Sequence, residues 1–277
     1  MRSTPESLTR SGPPSYTEVR PSPGLAPWIE CFWSIRAGPG PSMVNRVLPD
    51  GCSDLIVGVA GSPAATIVGT MRTALVVPLT GPATLHGVRF HPGAALRVFD
   101  TPLTELTDQR IPLESLWGPA AHELSQALAE AAGPAGPGRA ERILAARLAI
   151  DPSAHGDEAL ADRAVALFRR ARGGIGVRDA AAALGVGERR LQRAFDRSVG
   201  LSPKVLARVL RFRQAVRGLD QAATRPVSWA GLAALAGYAD QAHFIRDFRA
   251  LAGLTPAAYL RERRAVGFVQ YGEPGAG

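Results

Sequence analysis

A stretch in the last third of the chain, Arg190-Leu-Gln-Arg-Ala-Phe-Asp-Arg-Ser-Val-Gly-Leu-Ser-Pro203, returns 53 residues later as His243-Phe-Ile-Arg-Asp-Phe-Arg-Ala-Leu-Ala-Gly-Leu-Thr-Pro256. The two copies share identical residues at five equivalent positions, namely Arg193 and Arg246, Phe195 and Phe248, Gly200 and Gly253, Leu201 and Leu254, and Pro203 and Pro256. Repetition of this kind indicates that one small structural unit occurs twice.

A short alanine-rich stretch and a glycine turn precede each copy, at 181–185 and at 233–237. A helix, a glycine turn and a second amphipathic helix that carries arginine form the sequence pattern of a helix-turn-helix. The repeat therefore predicts two helix-turn-helix units in one polypeptide, which would read two segments of a DNA groove.

The helices of both units can be placed from their apolar spacing. In the first unit we predict a supporting helix over 177–184 and a recognition helix over 188–199. In the second unit the corresponding helices are predicted over 228–236 and 241–252, with Asp240 as the N-cap of the latter. Between the units, the spacing of apolar residues predicts a connecting helix that begins at Ser202-Pro203, ends at about Asp220 and packs against both. Six side chains are predicted to point outward from the recognition helices, namely Arg189, Gln192, Arg193, Gln241, His243 and Arg246.

The charge of the chain is concentrated around the repeat. Residues 157–265 contain 20 Lys and Arg against 10 Asp and Glu, whereas residues 1–156 contain 12 against 13. This asymmetry is typical of a nucleic-acid-binding part joined to a neutral part. A solvated basic surface without a partner is the alternative, but the charge coincides with the repeat.

Residues 160–263 resemble the AraC/XylS family of bacterial transcription regulators. The resemblance rests on the pattern A-x-x-x-G-V-x-x-x-x-L-x-R-x-F-x-x-x-x-G-L-S-P, a connecting helix, and A-x-x-x-G-Y-x-D-Q-x-H-F-x-R-x-F-x-x-x-x-G-L-T-P. The family usually has Ser at the N-cap where this sequence has Gly187, which is also an acceptable cap. The resemblance implies a DNA-binding transcriptional regulator with double-stranded DNA and RNA polymerase as partners. It also implies that the six outward side chains are the base-facing set, although single members could instead contact phosphate or water.

The front part is predicted to be rich in β-structure. Short runs with β-branched or aromatic residues predict strands over 28–35, 53–59 and 83–90, and Gly/Pro clusters separate them. Helices are predicted over 121–131 and 139–149. The expected fold class is α+β, with an N-terminal β-rich, barrel or cupin-like domain that includes helices and a C-terminal all-α domain of two tandem helix-turn-helix units.

The chain divides into four predicted segments: a flexible N-terminus over 1–24, an effector-binding or oligomerisation domain over 25–150, a DNA-binding domain over 157–265 and a flexible tail over 266–277. The front part also resembles the N-terminal domain of one branch of the AraC family, taken to be a cupin-like sensor, through residues 27–33, 48–56 and 87–94. Trp28, Phe32 and Trp33 could line an effector pocket or be ordinary core residues.

Other function classes find less support in the sequence. His86, His91, Asp50, Asp54 and Cys52 have no diagnostic metal-ligand spacing, so we expect no metal, no cofactor and no enzymatic activity. Cys31 and Cys52 are too few for the zinc-activated cysteine cluster of an alkylation-response regulator with a methyl-acceptor cysteine, which is one alternative function. A ligand-binding module without DNA binding is the other. We expect a cytoplasmic protein without a membrane segment, with a small-molecule effector and a homodimer as further candidate partners.

Overall fold

The computed structural model describes residues 14–39, 43–59, 62–79, 82–131, 136–149, 156–221 and 227–266. The strands of the described residues all lie in the front part: β1 (Ser15–Val19), β2 (Ile29–Ala37), β3 (Met43–Val47), β4 (Ser53–Gly58), β5 (Ala65–Val68), β6 (Leu75–Leu79), β7 (Ala83–Phe90) and β8 (Arg110–Pro112).

The described helices follow β7, and helices are the regular elements of the described rear part. Those of the front part are α1 (Ala95–Phe99), α2 (Leu103–Leu106), α3 (Glu114–Trp117), α4 (Ala121–Glu130) and α5 (Gly138–Ala149). Those of the rear part are α6 (Asp157–Arg170), α7 (Val177–Ala183), α8 (Glu188–Ser198), α9 (Pro203–Gln221), α10 (Trp229–Leu235), α11 (Gln241–Ala252) and α12 (Pro256–Val266). The predicted α+β class, β-rich in front and helical behind, is confirmed.

The strands form two antiparallel sheets. The larger has the order β1-β2-β7-β4-β5-β8, and the smaller pairs β3 with β6. Phe32, Val88 and Leu55 are direct neighbours across β2, β7 and β4, and all three are buried in one core with helices α1, α4 and α5. One face of the large sheet is therefore covered by helices.

The opposite face of the large sheet holds a second, smaller core. Trp33 packs there with Leu79 of β6, so that the small sheet covers part of this face. Gly87 pairs with Trp33 across the strands, and a Cβ atom at Gly87 would lie 2.3 Å from the indole ring. Strand β2 is thus buried on both sides.

One predicted boundary needs correction. Residues 1–24 were expected to be flexible, yet β1 pairs along its whole length with β2. Its Tyr16 ring lies 6.4 Å from the ring of Trp33, centroid to centroid, and this contact together with backbone pairing holds the segment on the sheet. Residues 1–13, residues 151–155 and the predicted tail after 266 lie outside the described residues.

Two hydrophobic cores build the rear part. Helices α6, α7 and α8 surround Phe168, Leu191 and Phe195, whereas α10, α11 and α12 surround Phe244 and Phe248. Helix α9 contributes to both cores, as its apolar pattern predicted. The turns of the two units reverse at glycines with left-handed backbone, Gly185 at φ +70° and Gly237 at φ +75°.

A pair of glycine substitutions tests the packing of α6 against α9. Gly173→Ala should destabilise the protein by about 2–4 kcal/mol, because a Cβ atom there would lie 2.1 Å from Ala207 O on α9 and the residue has φ +76°. The matched control Gly185→Ala has similar φ but open space around the Cβ position, so it should lose only about 1 kcal/mol. Urea unfolding followed by circular dichroism measures both, and equal losses would contradict this packing.

Candidate DNA interface

The first recognition helix, α8, separates buried from exposed residues cleanly. Leu191, Ala194 and Phe195 are buried in the first core. Arg189 and Arg193 are exposed on the other side. Gln192 is half-buried, and its Nε2 donates a hydrogen bond to Asp196 Oδ1 at 2.7 Å. The outward placement of the two arginines agrees with the predicted pattern, and Gln192 keeps its amide oxygen available as an acceptor.

The second recognition helix, α11, repeats this arrangement. Gln241 and Arg246 are exposed, while Phe244 and Phe248 are buried. His243 is half-buried, and its ring stands edge-on to that of Tyr238 at 5.2 Å between centroids. The aromatic contact restricts the imidazole of His243, whereas Gln241 and Arg246 extend freely from the first turns.

The two helices begin differently. Asp240 caps α11, since its Oδ1 accepts a hydrogen bond from the backbone N–H of His243 at 2.6 Å, as predicted. Helix α8 begins after Gly187, which offers no side chain to cap it. A side-chain cap satisfies one of the unpaired N–H groups at a helix start, so α11 has the more firmly fixed first turn.

Ion pairs distinguish the arginines of the recognition helices. Arg190 pairs with Asp157 at 3.0 Å and Arg197 reaches Glu158 at 4.0 Å, both on α6. Among the described residues, no carboxylate forms an ion pair with Arg189, Arg193 or Arg246. These three guanidinium groups are therefore available to an external anion or base.

Helix α9 connects the two units through polar contacts that the sequence did not predict. Arg208 forms an ion pair with Asp247 on α11. Arg211 Nη1 donates to Gly173 O at the end of α6, at 2.7 Å. The hydroxyl of Tyr238 donates to Asp247 Oδ2 at 3.1 Å, and burial raises the pKa of this tyrosine. The apolar spacing that predicted this helix gives no signal for these polar partners.

Both parts of the chain match known protein families. Residues 180–262 match the model of a helix-turn-helix domain, of the AraC type, and cover α8 to α11. The rear part therefore contains a helix-turn-helix domain of the AraC type, and the chain is a DNA-binding transcriptional regulator. Residues 17–112 of the regulator match a domain of unknown function (DUF6597). No curated protein matches the sequence.

Solved structures similar to the regulator include AraC-type proteins. A transcriptional regulator from Chromobacterium violaceum with an AraC-type DNA-binding domain is 25% identical over 43% of this chain and 98% of its own, with a TM-score of 0.34. ToxT from Vibrio cholerae is 8% identical over 91% of this chain and 99% of its own, with a TM-score of 0.44. ToxT with a bound unsaturated fatty acid is 11% identical over 94% and 97%, with a TM-score of 0.40.

The aromatic residues considered for an effector pocket do not share one surface of the regulator. Phe32 faces the helical side of the large sheet and Trp33 the opposite side, where its Nε1 donates to Asp54 Oδ1 at 2.8 Å. Trp28 packs half-buried against the same core as Phe32. Phe32 and Trp28 are therefore core residues, and only Trp33 lies between the two sheets.

The residues considered for a metal site are used in other ways. His86 Nδ1 lies 2.7 Å from Ser34 Oγ, and Cys52 Sγ donates to Glu30 Oε2 at 3.2 Å. Burial raises the pKa of the Cys52 thiol, and also that of Cys31, which disfavours the thiolate that a methyl acceptor needs. In the described ranges, no three His, Cys, Asp or Glu side chains are placed to hold a metal ion.

The described part of the regulator contains no helix with the length and apolar character needed to cross a membrane.

The N-cap of the second recognition helix gives a direct test of its construction. Asp240→Ala should destabilise the regulator by about 1 kcal/mol, because a backbone N–H of α11 loses its acceptor. Asp240→Asn keeps an oxygen in the same place and should lose little. Chemical unfolding measures both. If the asparagine variant is as unstable as the alanine variant, charge rather than capping explains the role of Asp240.

Proposed function

We propose that α8 and α11 of this regulator enter two successive segments of the DNA major groove. The base-facing side chains would be Arg189, Gln192 and Arg193 from α8, and Gln241, His243 and Arg246 from α11. The observation that carries this proposal is the equivalence of Arg193 and Arg246. Both occupy the same position of the repeat, both are exposed, and neither is held by a carboxylate among the described residues.

The chemistry of these side chains suits base edges. A guanidinium group can donate two hydrogen bonds to O6 and N7 of guanine, and a side-chain amide can pair in the same way with adenine. Arg190 and Arg197 lie on the same helix but are turned toward carboxylates of α6. The surrounding excess of basic residues over 157–265 would contribute attraction to phosphates, which is independent of sequence.

Alanine substitutions separate base readout from phosphate contact. Arg193→Ala and Arg246→Ala should each weaken specific binding by roughly 1–3 kcal/mol and relax the sequence preference in different segments of the site. Arg190→Ala is the matched control on α8 and should leave sequence preference unchanged, because its guanidinium group pairs with Asp157. Competition binding with specific and random DNA gives the result. Equal weakening on both kinds of DNA would make Arg193 and Arg246 phosphate contacts.

We propose further that the front domain binds a small amphipathic effector between its two sheets. Trp33, Tyr16 and Leu79 provide apolar surface there. Arg89 lies on the same face, 3.4 Å from Asp54 and 3.5 Å from Asp50. Burial raises the pKa of Asp54 to about 6, against the opposing effect of Arg89. Convergent charged and aromatic groups with a shifted pKa are features of binding sites.

An effector can regulate only if it binds the DNA-competent and the incompetent arrangement with different affinity. A metabolite that raises the melting temperature of the regulator should therefore shift its DNA affinity by about 1–3 kcal/mol. Thermal-shift screening, repeated with and without operator DNA, measures the coupling. Stabilising compounds that leave DNA affinity unchanged would contradict the sensor role and favour self-association as the role of the front domain.

Regulation of transcription also requires contact with the transcription machinery. We propose that the regulator works in the cytoplasm and contacts RNA polymerase at its promoter. A homodimer formed through the front domain is the corresponding proposal for its assembly. Sedimentation of the full-length chain with and without DNA tests the dimer.

A further inference from the structure

The two recognition helices end in equivalent ways. Gly200 follows α8 and Gly253 follows α11, and these aligned glycines have φ +77° and +76°. The carbonyl group just before each glycine is among those that a helix end leaves without an intrahelical partner. In this regulator the front domain supplies both partners. Thr70 Oγ1 donates to Val199 O at 3.3 Å, and Arg46 Nη1 donates to Ala252 O at 3.1 Å.

Neighbouring bonds strengthen the contact at the end of α8. Thr107 Oγ1, from the front domain, donates to Gly200 O at 2.7 Å. A Cβ atom at Gly200 would lie 2.6 Å from Leu103 O and 2.8 Å from Thr70 Oγ1. Because only a residue without a side chain allows this approach, the front domain and the end of α8 are in close backbone contact.

At the end of α11, the guanidinium group of Arg46 donates hydrogen bonds to two residues, Ala252 and Glu262. Its Nε and Nη2 donate to the two carboxylate oxygens of Glu262 on α12, at 2.9 and 3.1 Å. The side chain of Arg46 is 17% exposed and that of Glu262 is 31% exposed, so the pair is partly shielded from water. A bidentate pair fixes the guanidinium group in plane and direction, and thereby holds its third bond on Ala252 O.

One short segment of the front domain reaches both recognition helices. Thr70, which bonds to the end of α8, is four residues before Ala74, whose backbone N–H donates to Leu251 O of α11 at 2.7 Å. We call residues 70–74 the bridging segment. This segment connects the ends of α8 and α11 through contacts that do not involve α9. Two bodies joined along a single helix can still rotate about its axis, and a second connection away from that helix restricts this rotation.

We infer that Arg46 and Thr70 are positioning residues that set the spacing between the two DNA segments that the regulator accepts. Neither residue needs to contact DNA, since both act through the ends of the recognition helices. The inference rests on the proposed reading of two groove segments. It assigns to the front domain a role in DNA specificity that is separate from effector binding.

The DNA test compares spacing selectivity. The variant Arg46→Met/Thr70→Val removes the side-chain bonds to Val199 O and Ala252 O. Binding is measured on the selected site and on copies with one to three base pairs inserted between its two segments. The wild type should bind the selected site much more tightly than the copies with inserted base pairs. In the variant this ratio of affinities should fall about fivefold, because hydrogen bonds of this kind each contribute a modest net free energy. Unchanged discrimination in a variant of native circular dichroism overturns the inference.

Arg72→Ala provides the matched control, because Arg72 lies in the bridging segment but its side chain is 60% exposed and pairs with Asp108 of the front domain. This variant should keep the spacing selectivity of the wild type. A loss as large as that of the double variant would mean that general disturbance of the segment, rather than the bonds to the helix ends, explains the effect, and would overturn the inference.

A second measurement needs no DNA. Spin labels on Arg197→Cys and Ala250→Cys, both exposed, report the distance between the ends of α8 and α11, while the native cysteines are buried. The distance distribution should be narrow in the otherwise unchanged regulator and clearly broader with Arg46→Met/Thr70→Val. An equally narrow distribution overturns the inference. Failure of the wild type to select any two-segment DNA would instead overturn the proposed function. Because the spin-label distance is measured without DNA, it tests the positioning role of Arg46 and Thr70 separately from the proposed function.

Discussion

Helix α9 packs into two hydrophobic cores at once, and this shared packing connects the two recognition helices. Leu206 and Leu210 belong to the first core, and Val209 and Phe212 to the second. A helix of 19 residues is about 28 Å long, so it can separate two units rigidly where an unstructured linker could not. This helix therefore limits how far apart α8 and α11 can lie, and its Arg208 and Arg211 add polar contacts to both units.

The front domain adds a second connection between the same units. Leu48, which follows β3, is buried in the core of the second unit. Arg97 of α1 pairs with Asp162 of α6, and Arg213 of α9 lies 3.6 Å from Glu30. The nearby guanidinium groups of Arg213 and Arg89 lower the pKa of Glu30 to about 2, although burial alone would raise it. These contacts attach the front domain to both helix-turn-helix units and to α9, so it is a structural part of the DNA-binding region.

The sequence predicted the rear part well because its signals are local. A 3.6-residue apolar period and a glycine turn placed α11 at its observed bounds and α8 within one residue. The strands β3 and β6 were not predicted, since they pair only with each other and β6 contains Pro78, a residue unfavourable to strands. Strand β1 was also missed, because it depends on pairing with β2 and on the contact of Tyr16 with Trp33.

Contacts between distant residues lay beyond sequence reasoning. Arg46 and Glu262 are 216 positions apart, and nothing in either local sequence indicates a partner. Phe32 and Trp33 are adjacent in sequence but face opposite sides of strand β2. Each is buried in a different core, and the local sequence does not indicate which core receives which side chain. The outward arginines were predictable because a helix period alone decides exposure, whereas the ion pair of Arg190 with Asp157 required the position of α6.

In the proposed mode of binding, one chain reads two successive segments of the major groove. Selection of bound sequences from a random DNA pool, followed by hydroxyl-radical footprinting of the selected site, tests it most directly. We expect two protected segments on one face of the duplex, about one helical turn or ~34 Å apart, each with its own sequence preference. A single protected segment, or protection without any selected sequence, would contradict it.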